Sequence, residues 1–329
     1  MKPKQKNILL IILFVGLCFL FFLLSVAVGA VDISVGEILR ALFAGEDTAN
    51  FRIIYHIRLP RTLVAMLVGA ALAVAGIVLQ GVMRNPLATP NIIGVSSGGG
   101  IVALAIIIVY PQYYYLIPAG AFVGALLTTS LIYGLAWKEG IVPTRLILAG
   151  VAVNTILGAG NKILLSLFPT RIHGAVDFMV GGLSGTNWQN VRMITPYVLF
   201  GLVAVCLMTP QMNILMLGDE LAAGLGLRVE RTRRWLIILS ALLAGAAVSA
   251  AGLLGFVGLI VPHIARALLG NDHRYLVPGC IFLGAFTLMA CDLLARWLFA
   301  PFEVPVGVIM SILGGPFFLL ILRQQYRLS

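Results

Sequence analysis

Residues 58–100 read RLPRTLVAMLVGAALAVAGIVLQGVMRNPLATPNIIGVSSGGG, and this stretch decides the fold. Arg58 and Arg61 lead into about twenty residues, Thr62 to Val82, that carry no charge and many small side chains. That is long enough to cross a bilayer as a helix. Arg84-Asn85-Pro86 and Thr89-Pro90-Asn91 then stop the helix, because proline lacks an N–H and disfavours helical geometry in the residue before it. Gly94, Ser96, Ser97 and Gly98 to Gly100 open a second apolar run to Val109, and such small residues let helix backbones approach closely in lipid. The pattern is helix, polar elbow, helix.

Working outward, a shift of 176 positions lays Gly69-Ala70-Ala71 on Gly245-Ala246-Ala247, Ala75-Gly76 on Ala251-Gly252, Pro86 on Pro262 and Gly94 on Gly270. Shared small-residue composition would produce some of these matches, but the aligned prolines favour an internal duplication, with units near 58–167 and 234–322.

The composition agrees with a membrane protein. Of 329 residues, 60% are apolar and 10% charged, and the mean hydropathy is +1.05, more apolar surface than a soluble domain buries. The chain reads as one all-α, polytopic membrane domain, 1–329, with about ten transmembrane helices. Its net charge of +10 belongs to the ends of spans rather than to nucleic acid. Cys18, Cys206, Cys280 and Cys291 lie in or beside apolar runs without metal-site or redox spacing.

The expected spans fall near 8–30, 62–82, 94–109, 116–136, 146–167, 191–208, 235–254, 256–269, 276–299 and 306–322. The first is too long for a signal-peptide core. Ser34 to Ile38 reads as the start of a short surface helix. Residues 168–190 are too polar to cross and are placed outside, with partial re-entry left open. Placing both termini in the cytoplasm puts fourteen of the 22 basic residues inside and eight outside, in keeping with the positive-inside bias. In this layout the two repeats point in opposite directions, a common transporter design.

Residues 209–234, TPQMNILMLGDELAAGLGLRVERTRR, form the longest inner segment. Asp219-Glu220 ahead of Leu221-Ala222-Ala223, closed by Gly224 and Gly226, predicts a short helix on the membrane face. No lysine follows a glycine, so the chain lacks a phosphate-binding loop of its own. His56, His173, His263 and His273 are scattered, and no metal site is expected. Asp292 is nearly the only acid within a span and sits four residues before Arg296, within pairing reach. One such acid is too few for an ion relay, which disfavours a self-powered secondary transporter. An enzyme would need polar residues clustered at one depth, and none appear.

Arg58-Leu59-Pro60-Arg61-Thr62, Arg84-Asn85-Pro86-Leu87-Ala88 with Pro90 and Gly94-Val95-Ser96, Gly218 to Gly226, Gly255 to His263, and Asn271-Asp272-His273-Arg274 resemble the FecCD-type permeases. These are membrane subunits of bacterial ABC importers for iron–siderophore, haem and vitamin B12. The resemblance implies a type II importer fold in the cytoplasmic membrane. It also implies a homodimer or a pair of similar permeases, two ATP-binding subunits inside that hold ATP and Mg, and a periplasmic or lipoprotein substrate-binding protein outside. No cofactor is implied in this chain. By position, Asp219, Glu220, Ala223 and Gly226 are the candidates for ATPase coupling. Asn85, Leu87, Pro143 and Thr144 are the candidates for a cytoplasmic gate, with proline at 143 where the vitamin B12 importer has a small polar residue. Arg58, Arg61 and Arg296 are candidates for docking the binding protein, and arginine suits two-pronged contact with carboxylates; pairing of Arg296 with Asp292 is the rival use. Ferric siderophore or haem is the favoured cargo, with cobalamin the alternative.

Overall fold

The computed structural model describes residues 3–29, 49–138, 142–171, 173–298 and 302–326. The surface helix expected from Ser34 lies outside the described residues. Those residues form helices and no strand. In chain order they are α1 (Pro3–Ala27), α2 (Ala49–Ile53), α3 (Leu59–Met83), α4 (Val95–Val109), α5 (Ile117–Ala136), α6 (Pro143–Leu167) and α7 (His173–Val180). There follow α8 (Trp188–Leu207), α9 (Thr209–Leu215), α10 (Asp219–Gly224), α11 (Val229–Ala251), α12 (Val257–Leu269), α13 (His273–Leu298) and α14 (Val306–Tyr326).

Among the described residues, seven helical stretches are long and apolar enough to cross a membrane, and three shorter apolar helices, Val95–Val109, Val257–Leu269 and Val306–Ile321, bring the set to the ten expected. Their environments differ. The stretch Asn50–Met83 is 89% buried along its most apolar window, against 17% for Lys4–Ala27. The hub of the bundle is therefore α3, which packs against α8, α11, α12 and α13, while α1 lies at the periphery.

Small residues make that hub possible. A methyl group on Gly69 would land on the carbonyl of Gly284, and one on Gly76 would meet Gly258. Here α3 touches α13 and α12 backbone to backbone. Such contact is how helices associate in lipid, where apolar burial alone gives no preference for protein over acyl chain.

The helices α4 and α12, with 15 and 13 residues, rise only about 20–22 Å at 1.5 Å per residue, less than a hydrocarbon core. Non-helical chain completes each crossing. After Arg84 ends α3 in a left-handed conformation, φ +47°, the elbow climbs back into the bundle. Pro90 and Ile93 are buried there, and Asn154 of α6 donates to the Asn91 carbonyl at 3.0 Å. Residues 252–256 do the same before α12: the Leu253 N–H donates to Phe178 O at 2.9 Å. Non-helical backbone at this depth is tolerated because protein covers it.

The segment 168–190, placed outside by its polarity, is stitched into the same region. Gly182 N–H donates to Ala251 O, and Gly307 N–H to Gly181 O, both at 3.0 Å. The segment therefore packs against the end of α11 and the start of α14.

The ungapped 176-residue register does not superpose elements. Shifted by 176, Met83 falls on Leu259 inside α12, and Pro86 of the elbow meets Pro262 within a helix. Gly94 opens α4, whereas Gly270 closes α12. The order of elements does recur, α3 to α6 and α11 to α14. Matching them takes a shift of 168 from Met83 to Ala251 but 162 from Val95 to Val257.

Candidate functional site

Three clusters of polar side chains stand out, one at each end of the bundle and one midway. The first is built on 209–234. Met208 and Pro210 start α9, and the chain turns at Gly218, φ +111°, into α10, which stops before Gly226, φ +83°. The acid start and glycine stop read from sequence are both present. Asp219 accepts from Arg233 Nη2 at 3.0 Å and pairs with Arg84, so it ties α10 to α11 and to the end of α3. Arg233 is 2% exposed, Asp219 about half exposed.

Asn213 supplies a second tie. Its Nδ2 donates to Asp272 Oδ1 at 2.8 Å, and its Oδ1 accepts the backbone N–H of His273 at 2.9 Å and faces His273 Nδ1 at 2.8 Å. Asp272 titrates at about 2, held down first by the hydrogen bond from Arg274, against the smaller upward push of burial, and further by Asn213. The turn between α12 and α13 is thus pinned to α9. Nearby, Arg266 of α12 donates to Gln80 Oε1 of α3 at 2.9 Å. Glu220, Ala223 and Gly226 remain exposed, as do Leu217, Leu221 and Leu225 at 55%, 64% and 63%. These leucines make much of this surface apolar.

At the opposite end, a turn of π-helix, Ile54–Arg58, precedes α3, a feature that recurs at functional sites. Arg58 is buried and donates to the carbonyls of Val26 and Ala27 at 3.2 and 2.6 Å. Arg61 donates to both oxygens of Asp292 at 2.9–3.1 Å, and to Glu303 Oε2 at 2.8 Å. Arg296 Nε lies 3.1 Å from Asp292, as the four-residue spacing implied, and its Nη2 donates to Ser25 Oγ at 2.9 Å. Two guanidinium groups and two carboxylates balance. The balance matters because Asp292 is wholly buried, and an unpaired charge there would be costly.

Glu303 closes the network. Burial pushes its carboxyl up, but hydrogen bonds from Arg61 and Ser184 and the charges of Arg61 and Arg296 outweigh this and hold it below the ordinary value. The three arginines read as docking cations are therefore already engaged inside the chain. Arg192, on the first turns of α8, is exposed and has no carboxylate partner among the described residues. Sequence reading passed it over because nothing in its local pattern distinguishes it.

The gate candidates lie on separate elements. The Leu87 N–H donates to Asn85 Oδ1 at 2.9 Å, which fixes the elbow's first turn. Pro143 begins α6, and Thr144 beside it is exposed. Among the described residues no hydrogen bond joins the two pairs. Midway along the bundle, Asn91, Ser96, Leu253 and Ser311 help line an open cavity of about 710 Å³. Among the described residues, no three His, Cys, Asp or Glu side chains gather as a metal-ligand set.

Residues 17–324 match the FecCD transport family. The chain is 38% identical over 326 residues to the Fe(3+)-citrate import system permease protein YfmE of Bacillus subtilis, covering 98% of each chain. It is 40% identical to the hemin transport system permease protein HmuU of Yersinia pestis, covering 98% of this chain and 95% of that one. Against the cobalamin import system permease protein BtuC of Halobacterium salinarum, identity is 42% over 86% of this chain and 76% of that one. A solved structure described as an inward-facing metal-chelate type ABC transporter superposes with a TM-score of 0.86 at 28% identity, covering 95% of this chain and 98% of that one.

Proposed function

The chain belongs to the FecCD transport family of ABC importer permease subunits, and from that membership we propose that it moves a ferric chelate, siderophore-bound iron or haem, into the bacterial cytoplasm. It works by alternating access. A separate ATPase pair supplies the energy, and a substrate-binding protein delivers the cargo. Both termini and the 209–234 segment face the cytoplasm.

The observation that carries this reading is the pairing of an exposed apolar face, Leu217, Leu221 and Leu225, with rigid ties from the same segment to α3, α11 and α13. A partner that grips that face moves three transmembrane helices at once. Glu220, Ala223 and Gly226 meet the ATPase, and Asp219 anchors the element that carries them. The helix contacts made through Gly69 and Gly76 suit sliding with little repacking.

Two copies facing each other would close the cavity by Asn91, Ser96 and Ser311 into a pathway, with Asn85, Leu87, Pro143 and Thr144 at its inner end. At the outer face, carboxylates of the binding protein would compete with Glu303 for Arg61, with Arg58 and Arg296 behind it, and Arg192 offers an exposed cation with no carboxylate partner among the described residues. The cobalamin importer's similarity keeps cobalamin as the second reading of the cargo.

The test is reconstitution of the permease with its ATPase and binding protein in proteoliposomes, followed by uptake of labelled ferric citrate, ferric hydroxamate, haem and cobalamin. ATP-dependent uptake of a ferric chelate or haem is expected. Uptake of cobalamin alone would replace the cargo, and uptake by the permease alone on an ion gradient would overturn the class.

A further inference from the structure

A groove of about 810 Å³ runs beside the start of α11, lined by Ala223, Leu227, Arg228, Arg231, Arg234 and Trp235, with Glu230 and Ile238. Its charges do not cancel. Glu230 is taken by Arg233, 3.1 Å away, and Arg228 and Arg231 are exposed with no carboxylate partner among the described residues. Arg234 donates to the Tyr133 hydroxyl at 3.1 Å and lies 4.8 Å from the centre of the Trp137 ring, so it too keeps its charge.

The groove is layered by depth. Arg228 and Arg231 stand at the end of the helix, and Arg234 with the half-exposed Trp235 and the partly exposed Trp137 follows one turn on. Beyond them come exposed Ile238 on α11 and Leu127, Leu131 and Leu135 on α5. Cations at headgroup level, tryptophans at the interface and aliphatic side chains along the hydrocarbon are the arrangement that binds an acidic lipid.

We infer that this groove holds an anionic phospholipid of the cytoplasmic leaflet, its phosphate between Arg228 and Arg231 and its acyl chains along α5 and α11. Which leaflet it meets rests on the orientation given under Proposed function. Because Ala223 and Leu227 line the groove, the lipid would brace the segment that receives the ATPase.

The experiment is native mass spectrometry of the full chain in mild detergent with added phosphatidylglycerol or phosphatidylcholine. One phosphatidylglycerol per chain, bound at least tenfold more tightly than phosphatidylcholine, is expected. Arg228→Gln/Arg231→Gln should bring the two lipids level, while Arg228→Lys/Arg231→Lys and the charge-matched control Lys4→Gln/Lys6→Gln should keep the preference. As a measurement that changes no arginine, phosphatidylglycerol with brominated acyl chains should quench wild-type tryptophan fluorescence more than that of Trp235→Phe. Equal binding of the two lipids to wild type, or an undiminished preference in the glutamine variant, overturns the site. Displacement by millimolar inorganic phosphate would show a free-anion site instead. Loss of the bound lipid when the ATPase is added would show a protein interface. Either result rejects the lipid while leaving the transport reading intact.

Discussion

Asn213 of α9 holds Asp272 of the turn before α13 at 2.8 Å, and with the same side chain receives the His273 backbone N–H at 2.9 Å. One amide thus joins the 209–234 segment to α13, through the Asp272 carboxylate that Arg274 also holds and the buried His273 N–H. Asn213→Ala leaves buried donors unmet at about 1–3 kcal/mol, and is expected to lower substrate moved per ATP while basal ATP hydrolysis of the assembled transporter persists. Asp272 is depressed to about 2 from an ordinary 3.8. A depressed carboxylate gives its stabilisation above its unfolded value and loses it as pH falls through the folded one. The clamp should therefore be constant from pH 5 to 9, and a transport-per-ATP ratio that falls by half within that range in wild type but not in Asn213→Ala would contradict it.

The buried network at the other end is expected to respond unequally to its two acids. Asp292→Asn strands Arg61 and Arg296 in the interior, a loss of about 3–5 kcal/mol for an uncompensated buried charge. Glu303 is half exposed, so Glu303→Gln should cost about 0–1 kcal/mol, as exposed pairs do. Thermal unfolding in detergent ranks them, and equal losses would refute the division. Since Glu303 titrates below its ordinary 4.5, its link to Arg61 should persist at pH 5 and be lost only in stronger acid.

Much of this was legible in the sequence because a bilayer constrains length and polarity so strongly. Ten apolar runs, the elbow prolines and the Asp219–Gly224 helix with its stop before Gly226 all follow from local rules of span length, proline geometry and glycine stops. What was not legible depends on where distant elements meet. Asn213 and Asp272 are 59 residues apart, Arg61 and Glu303 are 242 apart, and Gln80 and Arg266 are 186 apart, and no periodicity brings such pairs together. Arg58 and Arg61 looked like free outer cations for the same reason: their partners lie on α1, α13 and the chain before α14. The ungapped repeat failed because the loops between matching helices differ in length, 84–94 against 252–256, so no single offset serves the whole unit.

Glycines that look alike in sequence should differ sharply on substitution. At Gly69 an added methyl meets the Gly284 backbone, which cannot swing aside, whereas at Gly134 of α5 nothing lies within 4 Å. Gly69→Ala is expected to separate α3 from α13 and to reduce the monodisperse yield in detergent severalfold. Gly134→Ala should be neutral or stabilising by up to about 1 kcal/mol, because alanine restricts the unfolded chain and favours helix. If Gly69→Ala purified and unfolded like wild type, the close crossing would be disproved.

The exposed face of α10 gives the most direct test of the proposed function. Leu221 and Leu225 lie one helical turn apart, each more than 60% exposed, so replacing them removes little packing within the chain and surface changes usually stay within about 0.5 kcal/mol. Leu221→Ser/Leu225→Ser should therefore leave the permease's thermal unfolding unchanged. In a complex, the same side chains would each lose about 1.5–3 kcal/mol of burial, enough to weaken association with the ATPase roughly tenfold or more and to abolish ATP-driven uptake in step. Surface plasmon resonance of the ATPase on nanodisc-held permease measures the first effect, and proteoliposome uptake the second. An ATPase that bound both forms equally would mean that this face meets something else, and the 209–234 segment would lose its place as the site where energy enters the membrane domain.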